Sequence, residues 1–155
     1  MLRFQWSGLW LGVALASCLS GQTLKMEALA NPAPQGANQA NWSLTADGKP
    51  ILVWVEPAGE EAATLRYAIR TGAQWSPART VAAKRTFFRH PAEAPEVVSL
   101  KDGTLAAHWI EMPPDSEAEF VYVSTSKDGT RWSAPVMAHK DRSQNLHGLA
   151  SMVAS

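Results

Sequence analysis

One cysteine, Cys18, stands in 155 residues, so no intrachain disulfide can staple the fold and its stability must come from packing. Net charge is absent too: fourteen Lys and Arg balance fourteen Asp and Glu. With no basic stripe or run, the electrostatic footprint of a nucleic-acid binder is missing. His90, His108, His139 and His147 show no ligand spacing such as His-x-x-x-His, so no metal site is expected, and no cofactor either. The apolar stretch at residues 9–16 falls well short of the roughly 20 residues that span a bilayer as a helix. Beyond the leader, no segment carries a convincing amphipathic helical period.

What the chain does contain is a phrase written twice. Asp47-Gly48, then Trp54 and Glu56, returns as Asp102-Gly103, then Trp109 and Glu111, at a shift of 55. Tyr67 and Tyr122 keep that shift, whereas Trp75-Ser76-Pro77 and Trp132-Ser133-Ala134-Pro135 stand 57 apart, as if two residues had been added in the turn before the second Trp. Self-similarity at this period, with several short strands per copy, is the mark of propeller blades.

Each copy reads as four antiparallel strands. In the second, residues 96–100 and 105–110 are apolar runs around the Asp102-Gly103 hairpin turn, residues 119–125 alternate with period two, and residues 132–138 follow the turn at Lys127-Asp128-Gly129. In the first the strands are expected at 43–46, 50–56, 64–71 and 75–82. The fold class is therefore all-β, with blade 1 at about residues 42–83 and blade 2 at about 95–139. Met152 and Val153 repeat Val97 and Val98 at the shift of 55, so residues 147–155 read as the start of a third blade. A two-layer sandwich also uses short, evenly spaced strands, but it does not predict the return of Trp, Tyr and Glu in the same slots.

The segment Ser126-Lys127-Asp128-Gly129-Thr130-Arg131-Trp132 resembles the Asp box, or BNR repeat, of sialidases and related propellers, one residue shorter than the usual Ser-x-Asp-x-Gly-x-x-Trp. Its physics is local: a carboxylate accepts backbone N–H bonds within a tight turn, Gly takes a positive φ, and the Trp packs into the blade. Ser126, Asp128, Gly129 and Trp132 are thus expected to be structural. The first copy keeps only Gly72 and Trp75 of the box. The resemblance covers residues 42–155 and implies a six-bladed propeller, of which this chain would be an incomplete N-terminal part. Two blades alone would expose edges and an apolar flank, and would be sticky, marginal or oligomeric.

The leader carries an address. Arg3, the apolar residues 9–16 and Leu15-Ala16-Ser17-Cys18 resemble a bacterial lipoprotein signal over residues 1–18, with Cys18 as the site of lipid attachment. Leu19 follows where an inner-membrane retention signal would have Asp, so the resemblance implies the cell envelope, on the outer membrane. Loss of the leader removes Arg3 and leaves a mature charge of minus one. Residues 19–41, rich in Pro, Ala, Asn and Gln, read as a flexible tether.

The sialidase resemblance further implies exo-α-sialidase chemistry if the protein is catalytic, with three Arg on the substrate carboxylate, a Tyr and Glu pair as nucleophile, and an Asp acid/base. The first Arg of that family precedes an Ile-Pro. Here Pro95 fits the spacing to Asp102, but the Arg slot holds Glu93, a charge reversal. Phe88-Arg89-His90-Pro91 lies four residues too early, which leaves Arg89 as a candidate that only an inserted loop could bring to the centre. Glu56 and Glu111 are the other catalytic candidates, two carboxylates on one rim. Their recurrence in both copies is equally what a structural residue shows. No complete active site is expected in this chain. A lipid-anchored, glycan-binding or glycan-processing propeller is one functional class, a non-catalytic scaffold for protein interaction is a second, and a metal-assisted hydrolase fits least.

Overall fold

The computed structural model describes residues 26–90, 92–143, 145, 147–148 and 150–153. Among these there is no helix, and nine strands form two antiparallel sheets. The first sheet is a meander of β1 (Asn38–Leu44), β2 (Pro50–Pro57) and β3 (Ala63–Thr71), completed by β4 (Gln74–Trp75) and β5 (Arg79–Arg85), both paired to β3. The second repeats the order with β6 (Glu96–Ser99), β7 (Leu105–Glu111), β8 (Phe120–Ser126) and β9 (Val136–Met137). Each copy of the repeat is therefore one antiparallel meander, of five strands in the first and four in the second, as the all-β reading requires.

Several boundaries differ from the sequence reading. β1 begins at Asn38 rather than 43, so the last four residues assigned to the tether belong to the sheet, and Ala46 lies in the turn. The fourth strand of the first copy is split at Ser76-Pro77, because Pro has no N–H to give a ladder. In the second copy that strand shrinks to Val136–Met137, although Ser133 N–H ahead of it already donates to the Thr125 carbonyl (2.8 Å). Residues 150–153 form no strand, although Met152 N donates to Glu96 Oε2 (2.9 Å).

Register corrects the repeat itself. Trp54 faces Arg66 across the first sheet and Trp109 faces Tyr122 across the second, so Tyr122 fills the slot of Arg66, not of Tyr67. The two tyrosines thus point to opposite faces of their sheets. One of the two added residues lies in the β7–β8 loop and the other in the turn before Trp132, not both in that turn. The Ser after each Trp explains its return. Ser76 Oγ accepts Ile69 N–H (3.1 Å) and Ser133 Oγ accepts Thr125 N–H (3.0 Å), while each Ser N–H donates to the carbonyl of the same partner (2.9 and 2.8 Å), which seats the fourth segment on the third strand.

The sheets pack through unlike faces. Ile51, Val53, Val55, Leu65 and Tyr67 of the first meet Val97, Leu105, Ala107 and Trp109 of the second, with Tyr122 and Trp132 at the border. The Trp face of the second sheet therefore covers the face of the first that lies opposite its own Trp54. Three polar contacts cross this seam. Tyr67 Oη donates to the Gly129 carbonyl (2.7 Å), Arg85 Nε and Nη2 donate to the two oxygens of Glu111 (2.6 and 2.9 Å), and Ser43 Oγ donates to the Val97 carbonyl. On its other face the first sheet buries Leu52, Trp54 and Ala68 beneath Ala33 and Ala37, a strap fixed by Trp75 Nε1–H donating to the Ala30 carbonyl (2.7 Å). That is why β2 is buried on both sides from Ile51 to Val55.

Tyr67 is fully buried, and removal of its hydroxyl would strand the Gly129 carbonyl in the seam. Tyr67→Phe is expected to lower stability by about 1–2 kcal/mol, read as a lower denaturant midpoint at an unchanged slope. A midpoint equal to that of the unaltered protein would show that the seam does not need this bond.

Candidate functional site

The connections of the two sheets sort to opposite ends. At one end lie the β1–β2 and β6–β7 hairpin turns and the turn after β8; at the other lie the β2–β3 loop, the β5–β6 connector and the β7–β8 loop. The Asp box occupies the first end. Asp128 Oδ1 accepts N–H bonds from Thr130 (2.9 Å) and Arg131 (2.8 Å), and its Oδ2 accepts Arg131 Nε–H (2.8 Å). These donors hold its carboxyl far below the usual carboxylate range, so the group is an anion committed to its own turn. Ser126 Oγ accepts Gly129 N–H (2.9 Å). Gly129 has φ +68°, and a Cβ there would lie 2.6 Å from Tyr67 Oη and 2.8 Å from Arg79 Nη1, so both backbone and space demand glycine. Trp132 lies edge-on to Tyr67 with centroids 6.0 Å apart. A cleft of about 510 Å³ at this end is ringed by Asp47, Asp102 and Asp128 with Arg79, Lys101 and Lys127.

The three catalytic candidates gather at the opposite end, apart from the Asp box. Glu56 is the last residue but one of β2 and Glu111 the last of β7, and each accepts the indole N–H of the Trp two residues before it, Trp54 to Glu56 at 2.8 Å and Trp109 to Glu111 at 2.6 Å. Period-two geometry puts both groups on one face of the strand, which makes Trp-x-Glu a self-satisfying unit. Glu111 is further clamped by Arg85, whose guanidinium also lies over the Tyr122 ring at 5.4 Å and is held protonated first by the Glu111 hydrogen bond. Glu56 has Arg66 at 3.7 Å. Neither carboxylate is presented as a free acid or base.

Arg89 is exposed, and its Nη2 donates to the Glu60 carbonyl (3.4 Å). It lines a cleft of about 570 Å³ with Phe87, Phe88, Met112, Pro113 and the acidic Glu60, Glu61, Asp115 and Glu117. The connector that carries it is seated by backbone pairing to the end of β7, Phe88 N–H to Ile110 and Met112 N–H to Thr86. Gln39 Nε2, from an irregular stretch of β1, donates to the carbonyls of Phe88 (3.1 Å) and Glu93 (3.0 Å). One cation thus faces four carboxylates here. Cys18 and residues 1–25 lie outside the described residues, as does Pro91.

Sequence reasoning noticed Glu93 for its slot but missed its neighbour. Glu119 is 3% exposed, and one carboxylate oxygen of each residue is buried without a hydrogen bond among the described residues. Burial raises the Glu119 pKa, and the charge of Glu93 raises it further, against N–H donors at His147 and Gly148. Around them the C-terminal segment is pinned: His147 Nδ1 meets the Glu119 carbonyl (2.8 Å), and His139 stacks on His147 at 4.1 Å. Long sequence separation hid this cluster. No group of three or more His, Cys, Asp or Glu among the described residues is placed to hold a metal ion, and no described helix is long and apolar enough to cross a membrane. Comparison with protein-family models, curated proteins and solved structures gave no match.

A carboxyl whose folded pKa is raised contributes stability that is complete below its unfolded value, about 4.3, and that is lost as pH rises through the folded value. Glu119→Gln keeps an acceptor for the His147 and Gly148 N–H groups and removes the repulsion from Glu93. Its thermal midpoint is expected to exceed that of the unaltered protein at neutral pH, with the gap closing toward pH about 4. Parallel curves at every pH would rule out a strained Glu93–Glu119 pair.

Proposed function

We propose that this chain is part of a sialidase-like Asp-box propeller, lipid-anchored at a bacterial cell envelope on the outer membrane, that binds extracellular glycans at the loop end of its sheets. The observation that carries the propeller reading is the unlike-face packing of repeated sheets. Such a contact does not saturate itself, as a two-fold pairing does, but leaves the same two faces ready for further copies, and successive blades around an axis are its natural product. The Asp-box geometry between β8 and β9 supports the same reading, as does Met152 reaching Glu96 near the first strand of the second sheet.

Within that reading, binding fits the loop end better than sialoside hydrolysis. Glu56 and Glu111 are engaged by their own indoles, Arg89 is bound to a carbonyl, and Glu93 stands where the family has its first arginine. Phe88 and Met112 offer apolar surface to a sugar ring, and the four carboxylates accept hydroxyl or ammonium donors while repelling a carboxylate. Neutral and amino sugars are therefore the favoured ligands. The engaged glutamates also favour a second reading, a scaffold for protein partners with no glycan at all.

Titration of the protein with neutral, amino-sugar and sialylated oligosaccharides, followed by NMR, is expected to shift residues 86–89 and 112–117 with the first two classes only. Phe88→Ala should weaken that binding, and a fluorogenic sialoside should stay intact. Tighter binding of the sialylated sugar would overturn the charge argument; no binding of any sugar would leave the scaffold reading. Anchoring has its own test: in a bacterial host, Cys18→Ala should abolish incorporation of a labelled fatty acid and release the protein from the membrane pellet. Persistent labelling would remove the lipid from the proposal.

A further inference from the structure

Buried oxygens without a donor gather at the loop end. Among the described residues they are Asn38 Oδ1, Gln39 Oε1, Glu93 Oε2 and Glu119 Oε2, from the start of β1, the β5–β6 connector and the approach to β8. The two carboxylates meet at Gly148. Its N–H donates to Glu119, and a Cβ on it would run into both oxygens of Glu93, so only glycine fits against the pair. Both glutamates are fixed by their own backbones. Glu93 N–H donates to the His90 carbonyl (3.1 Å) and its carbonyl accepts Gln39 Nε2–H (3.0 Å), while Glu119 N–H donates to the Asn145 carbonyl (3.4 Å) and its carbonyl meets His147 Nδ1 (2.8 Å). No Lys or Arg among the described residues pairs with either carboxylate. The nearby imidazoles are spent elsewhere: His139 Nε2 accepts Val121 N–H and its Nδ1 meets the Asp141 carbonyl, and His147 Nε2 meets Asp141 Oδ2.

We propose that Glu93 and Glu119 bind a calcium ion, which ties the β5–β6 connector to the start of β8 and to the C-terminal segment at Gly148. A cation turns the repulsion of two fixed carboxylates into attraction to a common charge, and it gives their orphaned oxygens a partner. Donors that are all oxygen select a hard ion over zinc or copper. Glu119 is 3% exposed, so the ion must shed much of its water on entry, which calcium does more readily than magnesium. Two carboxylates are a low charge count, and the affinity falls in the weak range of extracellular calcium modules, about 10⁻⁴–10⁻³ M. Glu93 shares its connector with Phe88 and Arg89, so the ion also steadies one wall of the loop-end cleft. The site rests on the buried acceptors and not on the glycan reading.

Calorimetric titration of the full chain in mild detergent, freed of metal with EDTA and then given calcium chloride, tests this. One site with a dissociation constant of about 10⁻⁴–10⁻³ M is expected, and about 10 mM calcium should raise the thermal midpoint by at least about 5 °C. Magnesium should raise it less. Glu93→Gln and Glu119→Gln should each abolish the response to calcium. In EDTA at neutral pH, Glu119→Gln should still hold its higher midpoint, which shows that the variant folds. A midpoint indifferent to calcium would overturn the proposal. So would a response that persists in Glu119→Gln and disappears in Glu117→Gln, since that would put the ion in the loop-end cleft.

Discussion

Burial of Trp109 against the valine face of the preceding sheet is the contact from which the rest of the structure follows. A free-standing antiparallel meander of this size would have two solvated faces and too little core to order itself. Here β2 is buried on both sides, by the second sheet on one face and by the strap at Ala33 and Ala37 on the other, and β7 is buried along its whole length. The indole fixes the distance between sheets, and its N–H must then find an acceptor in a place without water. Glu111 supplies it from the same strand, and Arg85 from the other sheet neutralises Glu111. Each added polar group answers a need created by the one before it. Truncation of a buried Trp costs about 3–5 kcal/mol, a large part of the margin of any small domain.

The sequence made the architecture readable because a repeat is a statement about equal environments. Trp54 and Trp109, with Glu56 and Glu111, return at one shift since the unit Trp-x-Glu is solved once and used twice. Its chemistry was readable only in part. Recurrence pointed to structural glutamates, but the indole N–H bonds that engage them depend on strand geometry that spacing alone does not supply. The tyrosines misled for the opposite reason. Tyr67 and Tyr122 match in number, yet a single residue added in the β7–β8 loop turns the second to the other face, and a period-two strand is unforgiving of such a slip.

Residues without a repeat partner were the least legible. Glu119 and His147 meet through the C-terminal segment, and no local pattern marks two side chains that far apart in the chain as neighbours. Pro, Asn and Gln dominate the surroundings of Gln39 and read as a tether, yet its amide spans carbonyls of the β5–β6 connector. Polar residues with one specific partner look, in sequence, like polar residues with none. The fourth strand of each copy was drawn too regular for a related reason: the serine side chains that help seat it on the third strand are invisible to hydrophobic periodicity.

The two ends of the sheets answer to different physics, and this decides where function can reside. At the Asp-box end, the turn is closed by its own donors. Asp128 satisfies the turn's N–H groups, Gly129 leaves no room for a side chain, and Tyr67 of the other sheet seals it, so substitution there reaches the seam before it reaches any ligand. At the loop end, the connector and the β7–β8 loop are tied by backbone bonds to β7 while their side chains stay available. Phe88, Arg89 and Glu117 make few demands on the fold, and the β7–β8 loop is one residue longer than its β2–β3 counterpart. A scaffold whose repeated slots are committed to packing can acquire specificity only in such non-repeated segments. The loop end is therefore where a binding site can change without the sheets having to change with it.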